Sequence, residues 1–246
     1  MRSIFSIIHD LLFVPKCSGC HTRMRNMENS MCERCKRQYL DEKEEYCDFC
    51  GMAASICTCI PNNMIVNGCI DYRKLIFYRK AASASPIRSM IYSIKRNYNL
   101  ALINFFADEL YKIDKGILPN DCIATFVPRL KKSVKKYGYD QGKLLSEKYA
   151  EIGEYRFKTL FKRKAKRGSS EQKLLNYRQR SANVKGAFSI LDENAVKGQH
   201  VILIDDVVTS GATLGECVSL LYDAGAKAVT CRSIAYTYRN NKRKNH

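Results

Sequence analysis

Residues 4–14 place apolar side chains at Ile4, Ile7, Ile8, Leu11 and Leu12. That spacing predicts a short packing helix. Residues 17–59 lose the apolar period. Pro61-Asn62-Asn63 then reads as a linker. From about Ile65 the pattern changes to alternating strands and helices. Ser85-Pro86 opens a helix through Ile87, Met90, Ile91 and Ile94, with Pro at the first helical position. Helices are predicted at 100–111, 143–152 and 214–224, the last stopped by Gly225. Strands are predicted at 121–127 (ending at Pro128), at 201–204 and within 227–235. Alternating units of this kind predict an α/β fold with a mainly parallel sheet. The expected organisation is a Cys-rich module over 1–63, an α/β domain over 64–238 and a basic tail over 239–246.

Twelve Cys are present, and eight of them fall between Cys17 and Cys59. They read Cys17-x-x-Cys20, Cys32-x-x-Cys35, Cys47-x-x-Cys50 and Cys57-x-Cys59. Four thiolates complete one tetrahedral Zn²⁺, and paired knuckles present them. Eight ligands therefore predict two structural zincs. The simplest pairing is sequential, with a cross-braced pairing open. So apolar-poor a region is expected to bury no core and to depend on metal for its stability. Closed four-thiolate sites leave no position for catalysis. Asp10 and His9 break the first apolar stretch, no small-residue cleavage site follows, and no segment reaches the roughly 18 apolar residues of a membrane span. These features predict a cytoplasmic protein in which clustered Cys mean metal rather than disulfides. Cys69, Cys122, Cys217 and Cys231 stand alone and are expected to be packing residues.

The run from Val201 to Thr213 is Val-Ile-Leu-Ile-Asp205-Asp206-Val-Val-Thr209-Ser210-Gly211-Ala212-Thr213. A buried strand delivers two carboxylates at its C-terminal edge, where parallel sheets bind ligands. Adjacent carboxylates suit the hydroxyls of a ribose. The small-residue turn offers backbone N–H groups at a helix N-terminus, which favours a phosphate. Gly211 permits a backbone geometry that other residues resist. A plain strand–turn–helix would not require two successive acids followed by Thr-Ser-Gly-x-Thr. The chain has no G-x-G-x-x-G and no Walker loop.

This run resembles the phosphoribosyl-diphosphate (PRPP) signature of type I phosphoribosyltransferases. The resemblance implies that Asp205 and Asp206 hold the ribose hydroxyls and that Thr209, Ser210, Gly211, Ala212 and Thr213 cradle the 5′-phosphate, with Mg²⁺ accompanying PRPP. Thr209 stands where purine-salvage members often carry an Asp base, which argues against a salvage role. The wider layout resembles the ComF family of bacterial competence proteins. It does so in Leu11-Leu12-Phe13-x-Pro15-x-Cys17, in Ile87-x-x-Met90-Ile91-x-x-Ile94-Lys95, in Val127-Pro128 with Gly138-x-x-Gln141, and in Gln172-x-x-Leu175-x-x-Arg178. That likeness implies a double zinc ribbon joined to a phosphoribosyltransferase-type sheet with helices on both faces. Pro128, Arg129, Lys131, Gln141, Gln172 and Arg178 would form the pyrophosphate and hood region. It also implies a role in DNA uptake, alongside other competence proteins. The family carries Arg-Gly-Phe-Asn-Gln where this chain has Tyr137-Gly138-Tyr139-Asp140-Gln141. Lys135 or Lys136 can restore the charge of that Arg but not its fork.

Charge sharpens the picture. Residues 1–63 are balanced, so the formal +18 falls on the remainder. That imbalance predicts an anionic partner. Five basic residues crowd 129–136 and seven crowd 156–167, interleaved with Tyr137, Tyr139, Tyr155 and Tyr177. Cations with aromatics are the mixture that binds single-stranded DNA. A solvated basic face with core tyrosines would give the same pattern. Two functions are therefore expected in competition. One is DNA handling by a PRPP-binding protein. The other is a working transferase passing phosphoribosyl from PRPP to an unidentified acceptor.

Overall fold

The computed structural model describes residues 15–24, 30–78, 85–164 and 184–237. The helix expected at 4–14, Gln172, Arg178, Tyr177 and the tail at 239–246 lie outside the described residues.

The strands are β1 (Asp71–Phe77), β2 (Ile123–Phe126), β3 (Arg156–Phe157), β4 (Phe161–Arg163), β5 (Phe188–Ile190), β6 (His200–Val208) and β7 (Ala228–Tyr236). Five of them form one parallel sheet in the order β1-β7-β6-β2-β3, while β4 and β5 make a separate antiparallel pair. The helices are α1 (Glu33–Lys43), α2 (Asn62–Ile65), α3 (Pro86–Arg96), α4 (Leu100–Asp114), α5 (Lys131–Tyr137), α6 (Gln141–Gly153) and α7 (Ala212–Asp223).

Both sheet faces are covered. Ile202 and Ile204 of β6 pack with α1, α3, α4 and α6, while Val201 and Leu203 pack with α2 and α7. Such a strand is apolar on both sides, so it reads as a continuous run rather than an alternation. The chain leaves β2 toward β3 and leaves β6 toward β7, in opposite directions along the sheet. The crevice between the C-terminal ends of β2 and β6 is thus a topological switch point, the place where open α/β sheets bind ligands.

Several elements depart from the sequence reading. The strand expected at 201–204 continues to Val208, because β7 offers ladder partners as far as Asp205↔Ser233 and Val208↔Tyr236. The carboxylates that look like a strand end therefore lie within it. The helix expected from 143 starts at Gln141, because the Asp140 carboxylate accepts from the Gly142 and Lys143 amides at 3.0 and 3.4 Å. Pro61-Asn62-Asn63 is not a bare linker. It starts the one-turn helix α2.

The Cys-rich segment does contribute to a core, contrary to expectation. It contains α1, whose Cys35 and Tyr39 lie one turn apart and both face inward. Tyr39 is fully buried, in edge contact with Phe105 and Phe106 at 5.1 and 6.4 Å between centroids. Its hydroxyl donates to Glu109 at 2.9 Å. One buried aromatic in an otherwise charged helix leaves too little apolar period to predict, yet it suffices to seat the helix. Cys69, Cys122, Cys217 and Cys231 are buried, as expected of packing residues.

Candidate functional site

At the switch point, Asp205 and residues 207–214 line one pocket. Gly211 adopts φ +75° and caps α7. A side chain there would meet Pro61 at 2.9 Å and Met64 at 3.0 Å, so both the conformation and the space favour glycine. Ser210 Oγ accepts from the Ala212 amide at 3.3 Å, which tightens the turn. The first N–H groups of a helix lack intrahelical acceptors, so the start of α7 presents donors to this pocket.

Strand alternation sends the two carboxylates to opposite faces of the sheet. Asp206 is buried toward α3 and α6. Lys95 Nζ lies 2.9 Å from its Oδ1, and Gln141 Nε2 donates to its Oδ2 at 2.7 Å. Both oxygens thus have protein partners, while Gln141 Oε1 has none. Asp205 faces α7 and accepts from the Asp206 amide at 2.8 Å. Removal from water and the neighbouring Asp206 charge push the pKa of Asp205 up to about 7, against the opposing pull of Lys95 and Arg163.

The residues expected around a pyrophosphate divide. Gln141 is placed on Asp206. Arg129 turns its guanidinium toward the end of α3, donating to the Lys95 carbonyl at 3.2 Å and lying 5.1 Å over the Tyr137 ring. Its backbone amide donates to Asp140 at 3.0 Å. Asp140 therefore orders the loop as a cap. Pro128 accepts from Arg163 at 3.3 Å, and Lys131 opens α5 on the surface.

Three residues outside the expected site set belong to this neighbourhood. Lys95 was visible only as the last residue of the first-helix motif, and Arg163 only as one of a basic run. Asn63, read as linker, donates its amide to the Ser210 carbonyl at 2.8 Å. Only tertiary structure reveals that contact.

The thiols form two groups, Cys17, Cys20, Cys32 and Cys35, then Cys47, Cys50, Cys57 and Cys59. The pairing is sequential rather than cross-braced. Within each group the sulfurs all lie within 4.8 Å of one another. The sulfurs are 3.7 Å apart for Cys20–Cys32, 3.9 Å for Cys47–Cys59 and 3.6 Å for Cys50–Cys57. A tetrahedron with Zn–S bonds of about 2.3 Å has S···S edges of about 3.8 Å, so the donor sets fit that ion. Amides of Gly19 and Cys32 donate to Cys17 Sγ at 3.4 and 3.3 Å, as thiolate ligands require. In the second group the donor is Lys74. It is fully buried, with Nζ 2.9 Å from Cys57 Sγ and 2.7 Å from the Cys57 carbonyl. The two knuckles repeat one another: Cys17 and Cys47 each sit in a small hairpin, closed by Lys16↔Arg23 and Tyr46↔Ala53. The positive-φ turn position is His21 in the first and Gly51 in the second.

Among the described residues, no helix is long and apolar enough to cross a membrane.

Comparison with known proteins adds sequence to this geometry. A model of the phosphoribosyl transferase domain matches residues 149–246. The DNA utilization protein YhgH of Escherichia coli K12 is 40% identical over 72 residues. That match spans 28% of this chain and only 31% of the relative. Competence protein F of Haemophilus influenzae is 24% identical over 234 residues, covering 89% of this chain and 96% of that protein. Among solved structures, the glutamine PRPP amidotransferase of Bacillus subtilis aligns with a TM-score of 0.37 and 18% identity, over 61% of this chain and 28% of the other. The domain match, the end-to-end likeness to a competence protein and the paired Cys₄ groups ahead of the sheet point the same way: the chain is similar to the ComF competence proteins and carries a phosphoribosyltransferase-type domain.

Proposed function

We propose that this protein binds PRPP at the switch point and acts in DNA uptake during transformation by handling single-stranded DNA, working in the cytoplasm with other competence proteins. The observation that carries the PRPP reading is the pocket built by Asp205 and residues 207–214. Its chemistry matches a phosphorylated ribose: hydroxyls meet a carboxylate, and phosphate meets the N-terminal amides of α7. Asp206 arrives held by Lys95 and Gln141, so in this reading it fixes the loop and shares its oxygens with the ribose. The unpartnered Gln141 Oε1 accepts from a ligand hydroxyl or a metal-bound water. Mg²⁺ would screen the pyrophosphate charge. Zinc in the two Cys₄ groups would have a structural role, since each set is complete with four thiolates.

Calorimetric titration of PRPP with Mg²⁺ tests the pocket. We expect saturable binding to the wild type and at least a tenfold loss in Asp205→Asn. Absence of heat with the wild type would remove the reading.

A second reading, transfer to an acceptor, is favoured by Asp205. Its pKa near 7 allows it to accept a proton at neutral pH, which Thr209 cannot do. In such a transfer, the C1–O bond to pyrophosphate breaks, a C1–acceptor bond forms, and the acceptor's proton passes to the carboxylate. Pyrophosphate release from PRPP across bases, amines and nucleic acids measures it. Silence across that panel leaves the binding reading alone.

A further inference from the structure

Two of the tyrosines expected from sequence to stack on nucleic acid, Tyr139 and Tyr155, turn inward instead. Tyr139 is buried, and its hydroxyl lies 2.7 and 2.6 Å from the carbonyls of Ile94 and Asn97. Tyr155 stacks on buried Tyr149 at 5.7 Å. Both rings serve the interior. Three rings, Tyr137 from the expected set and two outside it, gather around the C-terminal end of α3. Tyr92 is 52% exposed, with the Arg96 guanidinium 4.0 Å from its centroid. Tyr98 is 64% exposed and rests edge-on against Tyr139 at 5.6 Å. Tyr137 carries Arg129 at 5.1 Å and Lys136 at 5.4 Å.

We propose that Tyr92, Arg96, Tyr98, Arg129, Lys136 and Tyr137 form the track that holds single-stranded DNA beside the PRPP pocket. The proposal rests on the DNA-handling function above and gives that function a place.

Direct contacts make these residues one surface. Arg129 bonds the Lys95 carbonyl, Tyr139 ties down α3 and supports Tyr98, and Tyr92 with Arg96 occupies one face of α3 at i and i+4. Rings held by cations are rotationally restrained, so stacking a base on them costs little further ordering. The end of a helix repels anions through its carbonyls, which would argue against DNA here. Here those carbonyls are occupied by the Tyr139 hydroxyl and Arg129, and Arg96 in the last turn adds positive charge. Among the described residues, no carboxylate forms an ion pair with Arg96, Arg129, Lys131, Lys132, Lys135 or Lys136. Their charge is therefore available for phosphates. Every base has a π-face and every nucleotide a phosphate, so this surface selects single strands without selecting sequence. A duplex hides the base faces that these rings need.

The test is fluorescence anisotropy of the full chain with a labelled oligo-dT at several salt concentrations. Tyr92→Ala and Tyr98→Ala should each lose roughly five- to a hundredfold in affinity. Arg96→Gln and Arg129→Gln should each lower the logarithmic salt slope by about 1. Photocrosslinking through 5-iodouracil should label peptides that contain Tyr92 or Tyr98. A parallel double variant, Lys162→Gln/Lys164→Gln on the β4–β5 pair, should retain most of the binding. If the wild type binds and the tyrosine variants bind equally well, the track is wrong while DNA handling stands. If the wild type fails to bind at low salt, both fall.

Discussion

The side-chain amide of Asn63 donates to the backbone carbonyl of Ser210 at 2.8 Å, tying the segment that follows the cysteines to the phosphate loop. A second contact lies beside it. A Cβ on Gly215 would collide with the Asn63 carbonyl oxygen, which is backbone and cannot swing aside. Gly215→Ala should therefore push α2 away from α7 and destabilise by about 1–3 kcal/mol, the cost typical of overpacking. Asn63→Ala removes one hydrogen bond and should cost about 1 kcal/mol. Thermal melts rank the two. Equal or smaller loss in the glycine variant would contradict this close packing.

Asp205 gives a pH signature. Its folded pKa is about 7, above the ordinary 3.8. Folding therefore favours the protonated form. The associated stability is fully present below pH 3.8 and is lost as pH rises toward 7 and past it. Asn cannot ionise, so Asp205→Asn should gain stability over the wild type at pH 8 and much less at pH 5. Melting temperatures of both proteins across that range measure the difference. A gain that does not vary with pH would show that burial of the charge is not its source.

The sequence reading and the structure agree where chemistry and pattern coincide. The apolar run before Asp205, the Thr-Ser-Gly-x-Thr turn and the Cys spacings each require unusual residues at fixed intervals, so they are legible one residue at a time. The contacts of Lys95, Asn63 and Arg163 are not, because each depends on elements far apart in sequence meeting at one sheet edge. Which tyrosines face outward is not legible for a related reason. A basic run with interleaved Tyr does not say which rings turn inward, and Tyr139 does so because α3 supplies two carbonyls for its hydroxyl. α1 stayed hidden because its inward face holds little more than Cys35 and Tyr39.

Lys74 separates the two thiol groups experimentally. Its ammonium touches Cys57 and lies between the rings of Tyr72 and Phe77, at 5.3 and 5.4 Å. Lys74→Met keeps the volume and removes the charge that offsets the thiolates. Partners of metal ligands are typically worth about 10- to 100-fold in affinity. With zinc-loaded protein and a graded chelator, one of two zincs should leave the variant early and the other should leave as in the wild type. Simultaneous loss of both, or no change, would refute a local role.

The interior carries a charged group that only its partners make tolerable. Arg232 on β7 is fully buried, with Nε 2.8 and 2.7 Å from the two carboxylate oxygens of Asp114, and a further nitrogen 2.8 Å from Asp71. Tyr149 donates to the same Asp114 carboxylate at 2.7 Å. Asp114→Ala would leave the guanidinium with Asp71 as its one carboxylate and orphan the Tyr149 hydroxyl. Breaking one partner of such a pair costs about 3–5 kcal/mol. Replacing both together, as Asp114→Leu with Arg232→Met, removes the uncompensated charge along with its partner and should cost less than Asp114→Ala alone. Denaturant unfolding of the two variants decides it. Should the double replacement be the less stable of the two, the charged pair would be shown to stabilise the sheet in its own right, not merely to offset its own burial.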